Sequence, residues 1–228
     1  MGELGEVFAD PAYRDAVVDL LGTLAYGELS AFLRLAGDAE LAPTLATKAA
    51  LSGLAVAEFH HYELLRDRLV DLAADPDQAM SPFVPAIDAF HERTAPTTWH
   101  EGLVKYYVGD GIASDFYREV SAFVDQETRD IVLGALEDAG QDEFVVHEVR
   151  RAIEAEPALA GRLALWGRRL MGEALSQAQR VAADRDAFAV LLVGTRGLPG
   201  AGLTEIVHMF GRITERHTKR MESLGLSA

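Results

Sequence analysis

"AEFHHYELL", residues 57–65, sets two glutamates and two histidines into a stretch that otherwise reads as a buried helix. Leu51, Leu54, Glu58, His61, Leu65, Leu69 and Leu72 follow one another at steps of 3, 4, 3, 4, 4 and 3 residues, one continuous helical face. Glu58 and His61 interrupt the middle of that face. His60 and Glu63 lie off it and read as flank or solvent residues. A buried carboxylate without a partner costs several kcal/mol or takes up a proton, so these two core positions need a physical reason.

The preceding helical run repeats the pattern. Val17, Leu21, Leu24, Glu28, Phe32 and Leu35 form its stripe, and Glu28 occupies a core step with apolar neighbours on both sides. Two carboxylates and an imidazole on adjoining helices suggest a shared cation, because Glu and His three residues apart project from the same side of a helix. Spacing alone is weak evidence: Glu205 with His208, and Asp88 with His91, repeat it. The stripe position separates Glu58 and His61 from these. Glu205 falls just past a glycine-rich loop and reads as a first-turn acid favoured by the helix dipole. Glu143 and His147 read as solvated flank.

Outward from this centre the chain is rich in alanine, leucine, glutamate and arginine, which predicts an all-α protein of one domain over residues 1–228. Helices are expected over about 11–36, 43–74, 99–123, 126–154 (disturbed at Gly140), 158–183 and 203–224. "DPDQAMSP" reads as a loop and "FVPAIDAFHER" as a short connecting helix. "GTRGLPGAG" (194–202) reads as a loop, and "FAVLLV" (188–193) as a helix end, since a single strand has nothing to pair with. On the third long helix the stripe runs Leu103, Tyr106 or Tyr107, Asp110, Ala113, Tyr117, Val120 and Val124, with Asp115 and Glu119 turned away from it. On the fourth it runs Ile131, Ala135, Asp138, Gln141 (or Asp142), Val145 and Val149. Asp110 and Asp138 stand equally far from the turn between these helices and should share a height. Glu28 and Glu58 match less well, with an expected offset of order 10 Å.

Composition narrows the chemistry. Without cysteine there is no disulfide, thiolate metal site or cysteine nucleophile. No phosphate loop or nucleophile elbow is present. The start of the chain shows no signal peptide, and no membrane span is expected, so the expected location is cytoplasmic. A net charge of −15 disfavours nucleic acid, apart from a basic cluster of Arg212, Arg216, Lys219 and Arg220 that also suits a helix C-terminus.

Two long hairpins joined by a longer crossover, with Glu28 and Glu58-x-x-His61 in the first, resemble the ferritin-like proteins. More narrowly, "AYGELSAF", "AVAEFHHYELL", "YVGDGIASDFYREV" and "GRLALWGRRLMGEALSQAQRV" are similar to a bacterial family resembling tRNA hydroxylases, whose substrate is methylthio-isopentenyl-adenosine in tRNA. The resemblance implies an antiparallel four-helix bundle (about 11–155) with extra C-terminal helices (about 158–224). It also implies a carboxylate-bridged di-iron site, with manganese as the alternative metal. Carried over, the metal ligands are Glu28, Glu58, His61, Asp110, Asp138 and Gln141. Asp110 and Asp138 are one methylene shorter than the usual Glu, and Gln141 stands where the pattern has His. The four carboxylates sum to −4, which balances two divalent ions.

The implied activity is oxygen-dependent hydroxylation, with an electron-donor protein as partner and Tyr26, Tyr62 and Tyr106 as hydrogen-bond donors around the site. tRNA as a partner follows only from the resemblance and sits badly with the net charge. The competing expectation is a non-enzymatic bundle with one metal or none, favoured by the changes at Asp110, Asp138 and Gln141. The stripe Leu159, Leu163, Trp166, Leu170 and Ala174 is expected to cover the bundle, or otherwise to form a homodimer interface.

Overall fold

The computed structural model describes residues 10–136, 141–184, 190–191, 194–195, 198–199 and 203–228. Helix α1 (Pro11–Asp38) begins where Asp10 accepts a hydrogen bond from the Ala12 N–H, with Pro11 in the first turn where its missing N–H is harmless. A 3₁₀ turn, Ala39–Leu41, extends it. Helix α2 (Leu45–Asp71) opens on a reciprocal cap between Thr44 and Thr47 and packs against α1 as the principal hairpin.

The stretch expected to be a loop at "DPDQAMSP" is instead a short helix, α3 (Pro76–Met80), followed by a 3₁₀ turn at Ser81–Phe83. Asp75 caps it and Pro76 starts it, the same Asp-Pro start that opens α1. Helix α3 lies so close to α1 that a Cβ on Gly22 would run into the Ala79 carbonyl. Helix α4 (Val84–Arg93) is the expected connector.

The third bundle helix is not uniform. Helix α5 (Trp99–Lys105) passes through a π-helical turn, Tyr106–Asp110, into α6 (Gly111–Val120). The wider turn rotates everything after it, so the buried face runs through Val108, Ile112 and Asp115, and Ala113, expected in the stripe, is exposed. The fourth bundle helix, expected over 126–154 with a disturbance at Gly140, is described in two stretches, α7 (Gln126–Ala135), capped by Asp125, and α8 (Gln141–Ala155), on either side of residues 137–140, which lie outside the described residues. A buried network ties α7 to the first hairpin. The Tyr13 hydroxyl donates to Asp125 Oδ2 at 3.2 Å, and Arg68 reaches Thr128 Oγ1 at 3.2 Å and Glu127 Oε2 at 2.9 Å.

Helix α9 (Ala158–Asp184) packs on α4 and α5, and α10 (Leu203–Ser223) packs on α6. Leu159, Leu163, Trp166 and Leu170 of α9 are buried within this chain, and Trp166 Nε1 donates to the Glu101 carbonyl at 3.0 Å. Val190 and Leu191 are helical, as expected for the run before the loop. Within the expected loop, Gly194–Thr195 and Leu198–Pro199 pair as a two-residue antiparallel ladder. The architecture is an all-α helical bundle, with this one small ladder among the described residues.

The buried apolar side chains form two clusters rather than one. On α1, residues up to Tyr26 belong to one cluster and residues from Phe32 to the other. Helix α2 changes cluster between Ala55 and Tyr62, the α5–α6 segment between Ile112 and Phe116, and α9 between Ala174 and Val181. The chain also changes cluster between Leu136 of the α7 end and Phe144 of α8. A polar level therefore crosses the bundle, and Glu28, Glu58 and His61 lie in it.

Helix α1 meets the length and hydropathy of a membrane span by composition alone. Here it is a core helix that buries Asp19 and Glu28 among its apolar residues.

Candidate metal centre

The hairpin of α1 and α2 sets Glu28 opposite Glu58. From Glu28 to the end of the 3₁₀ turn at Leu41 is 41 − 28 = 13 residues, and from the start of α2 at Leu45 to Glu58 is 58 − 45 = 13. The expected offset of order 10 Å does not exist, because the helical path of α1 continues past Ala36 and through that extra turn.

His61 Nδ1 lies 3.6 Å from Glu28 Oε2 and 3.7 Å from Glu58 Oε2. One ligand atom from each of the three residues falls within 4.8 Å of the others. Glu28 Oε2 is buried and has no hydrogen-bond partner among the described residues. Two ligands each about 2.1 Å from one ion stand roughly 3–4 Å apart, which is the spacing of these oxygens and nitrogen. An orphaned carboxylate oxygen, a second carboxylate and an imidazole at that spacing fit a divalent metal ion.

The electrostatics of the group are asymmetric. Burial raises the Glu28 carboxyl well above its ordinary value, and the hydrogen-bonded Glu58 carboxylate and the charge of Asp110 push it the same way. Burial also opposes ionisation of Glu58. Interactions with His61, Glu28 and Tyr106 outweigh it, and the Glu58 carboxyl falls below its ordinary value. Tyr117, whose hydroxyl burial pushes upward, lies near enough to feel the charge of Glu28.

Asp110, the last residue of the π turn, borders the group: its charge acts on Glu28, and the Ser114 hydroxyl lies 3.5 Å from its Oδ2. Asp138 lies outside the described residues, as does the side chain of Gln141, whose backbone opens α8. Of the three tyrosines named as donors, Tyr106 lies near enough to Glu58 to favour its ionised form, whereas Tyr26 donates to Asp88 at 2.9 Å and Tyr62 packs against Phe59. His60 pairs at the surface with Glu63, and Glu143 and His147 are exposed.

The basic cluster near the C-terminus is engaged within the chain. Arg212 and Arg216 bind Glu119 at 2.6 and 2.9 Å, Arg220 binds the buried Asp115 at 2.9 Å, and Lys219 pairs with Glu215 at 2.6 Å. Asp115 and Glu119, on the side of α6 away from the sequence stripe, are the acidic seat of α10.

This fold and this polar level define a ferritin-like helical-bundle protein. Residues 11–195 match the family described as "Ferritin-like domain, actinomycetes", and the chain belongs to that family. Among solved structures it is similar to a protein from Synechococcus described as having aldehyde deformylating oxidase activity. The TM-score is 0.72 at 22% identity, over 97% of this chain and 94% of that one. Comparison with curated proteins gives no match.

Proposed function

We propose that this chain is a carboxylate-bridged di-metal protein, with iron as the metal, that carries out oxygen-dependent oxidation of a small organic substrate. The observation that carries the reading is the orphaned, buried Glu28 Oε2 beside His61 and Glu58 in a polar level that divides an otherwise apolar core. Glu28, Glu58 and His61 would hold one ion. Asp110, with Asp138 and Gln141, would complete the second position. When bound, two ferrous ions supply the binding place for dioxygen and part of its reduction. Hydroxylation balances as a C–H bond plus dioxygen plus two electrons and two protons, giving an alcohol and water. The electrons would come from a donor protein.

The residues of the chain supply the rest. Glu28 gives up its proton on ligation, Tyr106 holds Glu58 in orientation, and the apolar clusters on both sides of the level exclude water. The neighbour named for aldehyde deformylating oxidase activity supports a small organic substrate. Specificity for tRNA is the weaker form of the proposal: the cationic side chains that would meet phosphate are paired with Asp115, Glu119, Glu205 and Glu215.

One observation favours a second reading, a metal-free structural bundle. His61 lies between the Glu28 and Glu58 carboxylates, at 3.6 and 3.7 Å, where an imidazolium would offset their charge without an ion. Metal content of protein from iron-supplemented cells, compared with a Glu58→Ala, His61→Ala variant, decides between the two. About two irons per chain, lost in the variant, are expected. No metal in either protein would establish the structural reading.

A further inference from the structure

Gln177 lies on α9, outside the four helices that supply the candidate ligands. It is 6% exposed, and both Nε2 and Oε1 are buried without a hydrogen-bond partner among the described residues. Its neighbours on the same helical face, Ala174 and Val181, belong to different apolar clusters. Gln177 therefore falls where α9 passes from one apolar cluster to the other, as Glu28 and Glu58 do on their own helices. No other buried side chain among the described residues has both a donor and an acceptor atom orphaned in this way. A buried amide left unpaired is destabilising, and natural cores rarely retain one without use for it.

We infer that Gln177 is a substrate-positioning residue, whose carboxamide receives the head group of an otherwise apolar ligand entering the polar level; the inference rests on that level being a reaction site. A carboxamide presents one donor and one acceptor side by side, so its complement is a group that also donates and accepts. The acidic side chains of the same level, Glu28 and Glu58 with Asp110 at its border, disfavour an anionic head. The flanking clusters, with Leu170, Phe116 and Val181 among their members, require an apolar body. The ligand class is therefore a neutral primary amide or alcohol on a hydrocarbon frame.

The test uses the full chain, metal-free in chelator, so that it does not depend on whether metal binds. Thermal unfolding is followed with hexanamide, hexan-1-ol, hexanoate and hexane for wild type, Gln177→Met and Gln177→Leu. Hexanamide and hexan-1-ol are expected to raise the wild-type Tm more than hexane or hexanoate does, and both variants are expected to lose that difference. Both variants are also expected to melt at or a few degrees above wild type without ligand, because an unpaired amide has been removed (about a few degrees for a chain of this size). Melting of both variants below wild type would make Gln177 an ordinary packing residue and overturn the inference. So would a head-group difference equal in all three proteins, or none in wild type. Loss of metal binding in the Glu58→Ala, His61→Ala variant is a separate measurement, so failure of the metal reading is recognised independently.

Discussion

Glu28 and His61, on facing helices, bring Oε2 and Nδ1 to 3.6 Å, too far for a hydrogen bond and well placed for two ligands of one ion. The contact is made at the level where α1 and α2 both pass from one apolar cluster to the other. The polar level weakens the core locally, so the bundle needs anchors away from it. Two are evident, one around Arg68 and one around Asp115.

Arg68 is buried and bridges α2 to the start of α7 through Glu127, Thr128 and Asp125, the last at 3.6 Å. Replacing it with methionine keeps much of the stem's packing but strands the buried Asp125 carboxylate. Arg68→Met is expected to lower unfolding free energy by about 3 kcal/mol, measured by urea denaturation. A loss below about 0.5 kcal/mol would mean that Asp125 is satisfied by Tyr13 and the Thr128 N–H alone.

Asp115 meets Arg220 at 2.9 Å and Arg118 and Arg216 at 3.6 Å, and it holds α10 on α6. Asp115→Leu is expected to cost about 3 kcal/mol, because it removes the buried carboxylate that Arg220, whose side chain is only 14% exposed, faces. Combining it with Arg220→Met should recover at least about 1 kcal/mol relative to the sum of the single changes. Strict additivity in that double-mutant cycle would show that the two side chains do not interact.

His91 gives a pH signature. Burial, together with the nearby charges of Lys105 and Arg34, pushes its imidazole down to about 3 from an ordinary 6.5. Between those values the unfolded chain binds the proton and the folded chain does not. Folding stability therefore falls as pH drops from 6.5 toward 3, by up to about 1.4 kcal/mol per pH unit from this residue. His91→Leu should flatten the acid limb by that amount without changing stability near pH 8 in the same direction. Parallel limbs in wild type and variant would contradict it.

Helical class, the first hairpin and the convergence of Glu28, Glu58 and His61 were legible because each rests on a 3.6-residue stripe, which survives errors of a few residues at helix ends. What was misread fails for a shared reason: the stripe is not continuous. At Tyr106–Asp110 a π turn adds a residue to one turn and swings Asp115 from the expected outer side into the core, where arginines from α10 neutralise it. No periodicity window on α5 and α6 contains that information. The 10 Å offset predicted between Glu28 and Glu58 arose from ending α1 at Ala36, two residues and a 3₁₀ turn too early. Gln177 was passed over because a single glutamine on an apolar stripe looks like a tolerated polar residue. Only its buried, unpartnered amide distinguishes it.

Metal binding at Glu28, Glu58 and His61 should be visible as proton release and as stability. Burial and the adjacent Glu58 carboxylate disfavour a second charge, so in the metal-free fold Glu28 holds its proton to higher pH than an ordinary carboxyl. A divalent ion must displace that proton to use Oε2, so apparent affinity rises with pH across the range in which Glu28 is protonated. Anaerobic ferrous ion or Mn²⁺ at 100 times its dissociation constant should stabilise wild type by about 2.7 kcal/mol. Glu28→Gln keeps the shape, removes the proton and offers only a neutral oxygen, so its metal binding is expected to be weaker and nearly independent of pH. Glu58→Ala, His61→Ala should show neither stabilisation nor proton release. Equal stabilisation of all three proteins would place the ions elsewhere on a chain of net charge −15, where acidic side chains are abundant.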